Sequence, residues 1–169
     1  MILRHATPED AGLLAEMGAT TFRDSFGAQN TPENMDAYLA ASFSLEIQAA
    51  ELADPSSYFV IAEDDGLAVG YAKLTKGPAP ESITGHRPIE VVRIYARREW
   101  IGKKVGAALM RACLDIARAA GCDVLWLGVW EHNPRAIAFY RRWGFAEVGE
   151  HTFQLGSDPQ RDVLMQIEI

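Results

Sequence analysis

Cysteine, histidine, basic charge and long apolar runs are all scarce in this chain, and each shortage excludes a class of protein. The two cysteines, Cys113 and Cys122, stand without a CxxC spacing. They read as buried, reduced thiols, which excludes a disulfide scaffold and fits a cytoplasmic compartment. The four histidines, His5, His86, His132 and His151, show no ligand spacing, so no metal is expected. No apolar run approaches the ~20 residues that span a bilayer, and MILRHATPED lacks the apolar core of a signal peptide. Membrane association is therefore not expected. Sixteen basic residues against 23 acidic ones leave a net charge of −7, which argues against a nucleic-acid partner. Neither the dinucleotide fingerprint nor the P-loop occurs.

What remains is ordinary globular material, 49% hydrophobic and 23% charged over 169 residues. That length is one domain, residues 1–169, able to bury roughly 70% of its unfolded surface. The most informative stretch is IEVVRIYARREWIGKKVGAAL, residues 89–109: a strand, a turn with two glycines, then a long helix. The order leaves the amides of Gly102, Lys103, Lys104, Val105, Gly106 and Ala107 unpaired at a helix start. Free donors, the helix dipole and two lysine cations make a pyrophosphate site. The local charge is positive despite the acidic total, with Arg93, Arg97, Arg98 and Arg111 nearby.

Elsewhere the pattern alternates strands and helices. Ile2 to Ala6 reads as a strand. Thr7-Pro8-Glu9-Asp10 and Thr31-Pro32-Glu33-Asn34 each open a helix with an N-cap, a proline and acids. Ser44 begins a third, smaller helix. Tyr58–Glu63 and Leu67–Leu74 flank an Asp64-Asp65-Gly66 hairpin turn. Glu90–Ala96 is a strand, 103–120 a helix with one polar stripe, and Val124–Trp130 an apolar run suited to a central strand. A helix runs from Asn133-Pro134 to Trp143. Two last strands, 145–155 and 161–169, flank Gly156-Ser157-Asp158-Pro159. Seven strands and five helices in this order predict a mixed α/β domain.

Two segments in series, IYARREWIGKKVGAALM and NPRAIAFYRRWGF, resemble the Gcn5-related N-acetyltransferase (GNAT) superfamily. The resemblance spans essentially the whole chain. It implies an α/β (α+β) GNAT fold: a single domain whose mixed, mostly antiparallel sheet of about six or seven strands is flanked by helices. It also implies acetyl-CoA as cosubstrate, an amine acceptor and no metal. Dimers are common in the superfamily, and a homodimer is compatible with the resemblance. TFRDSFGAQNTPENMDAYLAASF, LWLGVWEHNPRAIAFYRRWGF and HTFQLGSDPQRDVLM look like bacterial spermidine/spermine N-acetyltransferases, which points to a small polyamine. Acetylation of protein or peptide amines is the alternative within the enzyme class. A non-catalytic acyl-CoA-binding sensor is the alternative outside it. The chain departs from the family's turn pattern at Ile101, where Gln or Arg is usual, and at Lys104, where Gly is usual; Gly106 conforms.

By the same resemblance, the backbone of Ile94, Tyr95 and Ala96 would hold the pantetheine arm. Tyr140 would protonate the leaving thiolate, the alternative being an amphipathic core residue. Asn133 would contact the cofactor, and as the residue before Pro134 it is also an N-cap. Glu90 is the candidate general base, on one strand face with Val92 and Ile94 by alternation. Its alternative is a solvated strand-start carboxylate or a partner for Arg93. Trp126 and Trp130 share a face of the central strand as core or cofactor wall. Asp24, Glu33 and Asp36 lie in the segment that shapes the acceptor pocket in related folds, where surface solvation is their other reading.

Overall fold

In the computed structural model, which describes residues 1–169, one sheet organises the chain. Its seven strands are β1 (Ile2–His5), β2 (Ser57–Asp64), β3 (Leu67–Lys76), β4 (Pro88–Ala96), β5 (Val124–Trp130), β6 (Ala146–Leu155) and β7 (Asp158–Glu168). They are ordered β1-β2-β3-β4-β5-β7-β6. Every neighbouring pair is antiparallel except β4 and β5. Five helices cover it: α1 (Ala11–Phe26), α2 (Pro32–Ser42), α3 (Leu45–Ala53), α4 (Val105–Ala119) and α5 (Pro134–Arg142). α4 buries Val105, Leu109, Met110, Cys113 and Ala117 against one face of β2–β5, with Phe139 and Tyr140 of α5 and its C-cap Trp143 beside it. The opposite face is closed by the helical layer, with Leu14 and Met17 packed on Phe59 of β2, and Phe22, Met35, Leu39 and Phe43 in a second cluster.

The helix starts follow their capping residues. Thr31 and Ser44 each accept from the backbone N–H three residues on, both at 3.2 Å. The first helix differs from expectation. Pro8–Asp10 is a separate 3-10 turn, because the Asp10 carboxylate turns back to accept from the Thr7 amide at 2.7 Å while Arg4 grips it from β1 at 2.8 Å. The β2–β3 turn has Asp65 at φ 48° and Gly66 at φ 77°, the paired positive angles of a type I′ hairpin. The final hairpin is tighter than expected: Leu155 pairs with Asp158, so β7 begins three residues before Arg161 and the turn is Gly156-Ser157 alone. Asn34 accepts from the Ser157 amide and hydroxyl at 3.1 Å, which ties α2 to that turn.

Two irregularities of β4 shape the interior. Lys73 pairs with Arg93 but Leu74 pairs with Val91, so Val92 is an extra, unpaired residue. The bulge inverts the alternation. Ile89, Val91 and Ile94 all face α4, and Glu90 therefore faces the α1–α3 side, not the face of Ile94 as expected. The second irregularity is a split. β4 and β5 pair only from Pro88–Val124 to Glu90–Trp126, after which the two strands part.

Candidate active site

The split between β4 and β5 opens into a cavity of about 610 Å³ whose wall runs along both separated edges, Glu90–Ala96 and Gly128–Trp130. Its charged residues fall into two groups. One end meets α4 and α5 and carries the cations Lys104, Arg135 and Arg142. The other lies under α1 and α2 and contains the cavity's only two carboxylates, Glu90 and Asp162, with His151 and the Arg93 guanidinium, whose charge Glu51 balances from outside the cavity.

At the cationic end the chain turns sharply into α4. Gly102 has φ 85° and Lys104 φ 67°, so the residue before the helix is left-handed. The helix consequently begins at Val105, two residues later than expected. The amides of Gly102, Lys104, Val105, Gly106 and Ala107 donate to no acceptor in the protein, whereas that of Lys103 is spent on the Trp100 carbonyl at 3.2 Å. The free donors are thus five of the six expected. A helix N-terminus with unpaired N–H groups beside Lys104, Arg135 and Arg142 fits a diphosphate. The Lys103 ammonium lies over the Trp100 ring, 4.7 Å from its centroid, outside the cavity wall. Val105 turns its side chain into the core.

Asn133, at the start of α5, accepts from the Ala136 amide at 3.2 Å and also lines the cavity, so the capping reading holds. Tyr140 lies in the last turn of α5, its ring edge-on to Phe139 and Phe145 at 5.4 and 5.8 Å. It packs on the core and lines the cavity at once. Burial, with a smaller contribution from Cys113, pushes its phenol well above the ordinary value, so the hydroxyl stays protonated. Ile94, Tyr95 and Ala96 occupy the stretch of β4 that has lost its β5 neighbour.

At the acidic end the walls are Phe22, Phe26, Tyr38, Trp130 and Phe153. Phe22 stacks on Tyr38 at 4.4 Å, Phe26 meets Trp130 edge-on at 6.0 Å, and Phe153 lies 5.4 Å from Tyr38. Burial raises the pKa of Glu90, opposed in part by His151 and Lys73. Glu90 does not pair with Arg93. That guanidinium is held by Glu51 of α3 at 2.7 and 3.1 Å and stacks over Phe43 at 4.7 Å. Glu51 also takes Lys73 at 3.0 Å, so one carboxylate fastens α3 to two strands. Asp162 is likewise raised by burial, with His151 pulling the other way.

Asp24, Glu33 and Asp36 are exposed and line nothing; Asp36 pairs with Arg23 on the surface. Asp162 and His151 were not anticipated. The available signal was Asp162 at the head of the buried run Val163-Leu164-Met165, where an acid is out of place. Trp126 is core, while Trp130 is cavity wall. No group of metal-ligating side chains exists, and no helix is long and apolar enough to cross a membrane.

Residues 19–145 match the model of the acetyltransferase (GNAT) family. An uncharacterized N-acetyltransferase in the pepI 3′ region of Lactobacillus delbrueckii subsp. lactis is 36% identical over 146 residues, covering 86% of this chain and 84% of that one. The N-alpha-acetyltransferase RimI of Mycobacterium tuberculosis is 35% identical over 102 residues, 59% of this chain and 58% of that one. Among solved structures, the PaiA N-acetyltransferase of Thermoplasma acidophilum in complex with coenzyme A superposes with a TM-score of 0.79 at 19% identity, covering 99% and 98% of the two chains. Family match, sheet order and split central strands agree: the chain belongs to the GNAT family and is an N-acetyltransferase with acetyl-CoA as its cosubstrate.

Proposed function

We propose that the acceptor is the primary amine of a small polycation, of which spermidine and spermine are the type. The observation that carries this reading is the polarity of the cavity: unpaired cations at the α4 end, and at the other Glu90 and Asp162 between aromatic walls, where the one cation, Arg93, is already taken by Glu51. Acidic groups beside aromatic faces attract an ammonium ion and shelter its methylene chain.

In this reading the amides of Gly102 and of Lys104 to Ala107 hold the diphosphate, with Lys104 adding charge. The free edge of β4 at Ile94–Ala96 holds the pantetheine arm, and Asn133 adds a contact at the α5 side. Acetyl-CoA supplies a thioester activated toward an amine nitrogen. The protein's part is to deliver that nitrogen unprotonated and to quench the charge that develops on sulfur. Glu90, whose carboxylate is raised toward neutrality by burial, takes the amine proton. Tyr140 offers a hydroxyl that stays protonated and donates toward the sulfur.

Relatedness to RimI over part of the chain favours a second reading, in which the acceptor is a peptide α-amine. Thiol release from acetyl-CoA over a panel of polyamines, amino acids and short peptides separates the two. The polycation reading expects spermidine or spermine to exceed every peptide in kcat/KM by about tenfold or more, one extra ion pair's worth. A peptide at the head of the panel overturns it. Tight acetyl-CoA binding without thiol release for any amine would mark a sensor instead.

A further inference from the structure

Asp162 on β7 and His151 on β6 stand opposite one another in the strand register, with imidazole Nε2 3.6 Å from carboxylate Oδ2. On β5 the register partner of Asp162 is Trp130, and the two side chains reach along the sheet to Gly128. A Cβ there would lie 3.1 Å from His151 Nε2 and 3.2 Å from Asp162 Oδ2. The pair thus leans over the one point of β5 that carries no side chain, and Glu90 lines the same cavity. Solvent contact differs across the three groups. Asp162 is 12% exposed and Glu90 sits on a central strand, whereas His151 belongs to the outermost strand with 37% of its side chain open.

Resting on the reading that an amine is acetylated at this end, we propose that His151 is the proton outlet of the acceptor site. The ammonium N–H bond breaks as an O–H bond forms on Glu90. That proton crosses the void above Gly128 to the imidazole, giving imidazolium and restoring the carboxylate. The imidazolium releases it to bulk water. One proton leaves, no electrons move, and both groups return to their starting state. Asp162 is a positioning residue: it orients the ring and stabilises its charged form.

The groups facing this path are few. β7 contributes Asp162, and β4 contributes Glu90, which senses Lys73, and Arg93, which is paired with Glu51. The Tyr38 phenol of α2 senses Asp162. β5 contributes only Gly128 and Trp130. On β6, Glu150 is engaged by Arg161, which also holds Glu131.

Acetyl transfer to spermidine, followed by thiol release across pH, tests the outlet. In His151→Gln, kcat falls about 100-fold near neutrality, the low end for a positioned proton-transfer group. KM for spermidine holds, the deficit shrinks at alkaline pH where the amine arrives neutral, and added imidazole restores part of the rate. An unchanged kcat, or a loss equal at every pH and blind to imidazole, overturns the proposal. NMR of the His151 ring at neutral pH gives a second readout that needs no turnover. Glu90→Gln is expected to move the ring resonances, because the two groups line one path; resonances unmoved by Glu90→Gln also overturn it. If no amine is acetylated by the wild-type chain, the polycation reading fails while the NMR result still decides whether Glu90 and His151 are coupled.

Discussion

At Tyr140 and Gly128 the proposed chemistry turns on single atoms. The Tyr140 ring belongs to the core and would be replaced there by phenylalanine without a packing defect. Only its hydroxyl distinguishes a structural role from a chemical one. Tyr140→Phe is expected to leave the melting temperature within a degree or two while lowering kcat about 100-fold; loss of stability with unchanged kcat would make it a core residue only. Gly128 is the reverse case, a position whose missing side chain is the functional feature. Gly128→Ala puts a methyl group against His151 and Asp162 at 3.1 and 3.2 Å. Because the methyl group fills the space the proton is proposed to cross, kcat near neutrality should fall several-fold with KM for acetyl-CoA unchanged, read from steady-state thiol release.

At the scale of elements, the start of α4 carries a conflict that its sequence displays openly. Lys104 holds φ 67°, a conformation that costs an L-residue about 1–2 kcal/mol, at a position where the family has glycine. The retained lysine trades backbone ease for a cation on the cavity wall. Lys104→Gly should therefore raise unfolding stability by about 1 kcal/mol in urea denaturation and weaken acetyl-CoA binding at low salt. A variant that binds more tightly would show the charge to be irrelevant. The elements themselves were legible because their signals are local. Thr31, Ser44 and Asn133 cap the helices they precede, and the Val124–Trp130 run is a central strand. The bulge at Val92 was not legible, since it depends on how β3 and β4 slide past one another and leaves no mark in either strand's composition. That single residue moved Glu90 to the other face of the sheet. Thr7 does cap the turn it precedes, in a capping box with Asp10, and only the break between that 3-10 turn and α1 left no mark in the sequence.

Across the whole molecule, charge is sorted by place. The acidic total of −7 coexists with a cavity whose α4 end is cationic, a segregation that composition alone conceals. The unpaired donors at the cationic end were legible because they lie within one short segment, residues 102–107. At the acidic end only Glu90 was legible, because His151 and Asp162 come from two further strands that the β4-β5-β7-β6 order brings to the same cavity. The same order places Glu51 of α3 beneath Arg93 and Lys73, a buried cluster joining the helical layer to the sheet. Glu51→Gln leaves two buried cations facing one another and should cost about 3–5 kcal/mol. Thermal melting near neutral pH reads it, and a loss below about 1 kcal/mol would show the cluster to be solvated like a surface pair.

Calorimetric titration of the full chain with acetyl-CoA bears most directly on the polarised cavity from which everything else was built. One site per chain, with affinity falling as ionic strength rises, is the expected isotherm, because the proposed diphosphate site sets Lys104, Arg135 and Arg142 beside unpaired amides. Absence of heat at low salt and neutral pH, or binding indifferent to salt, would contradict it.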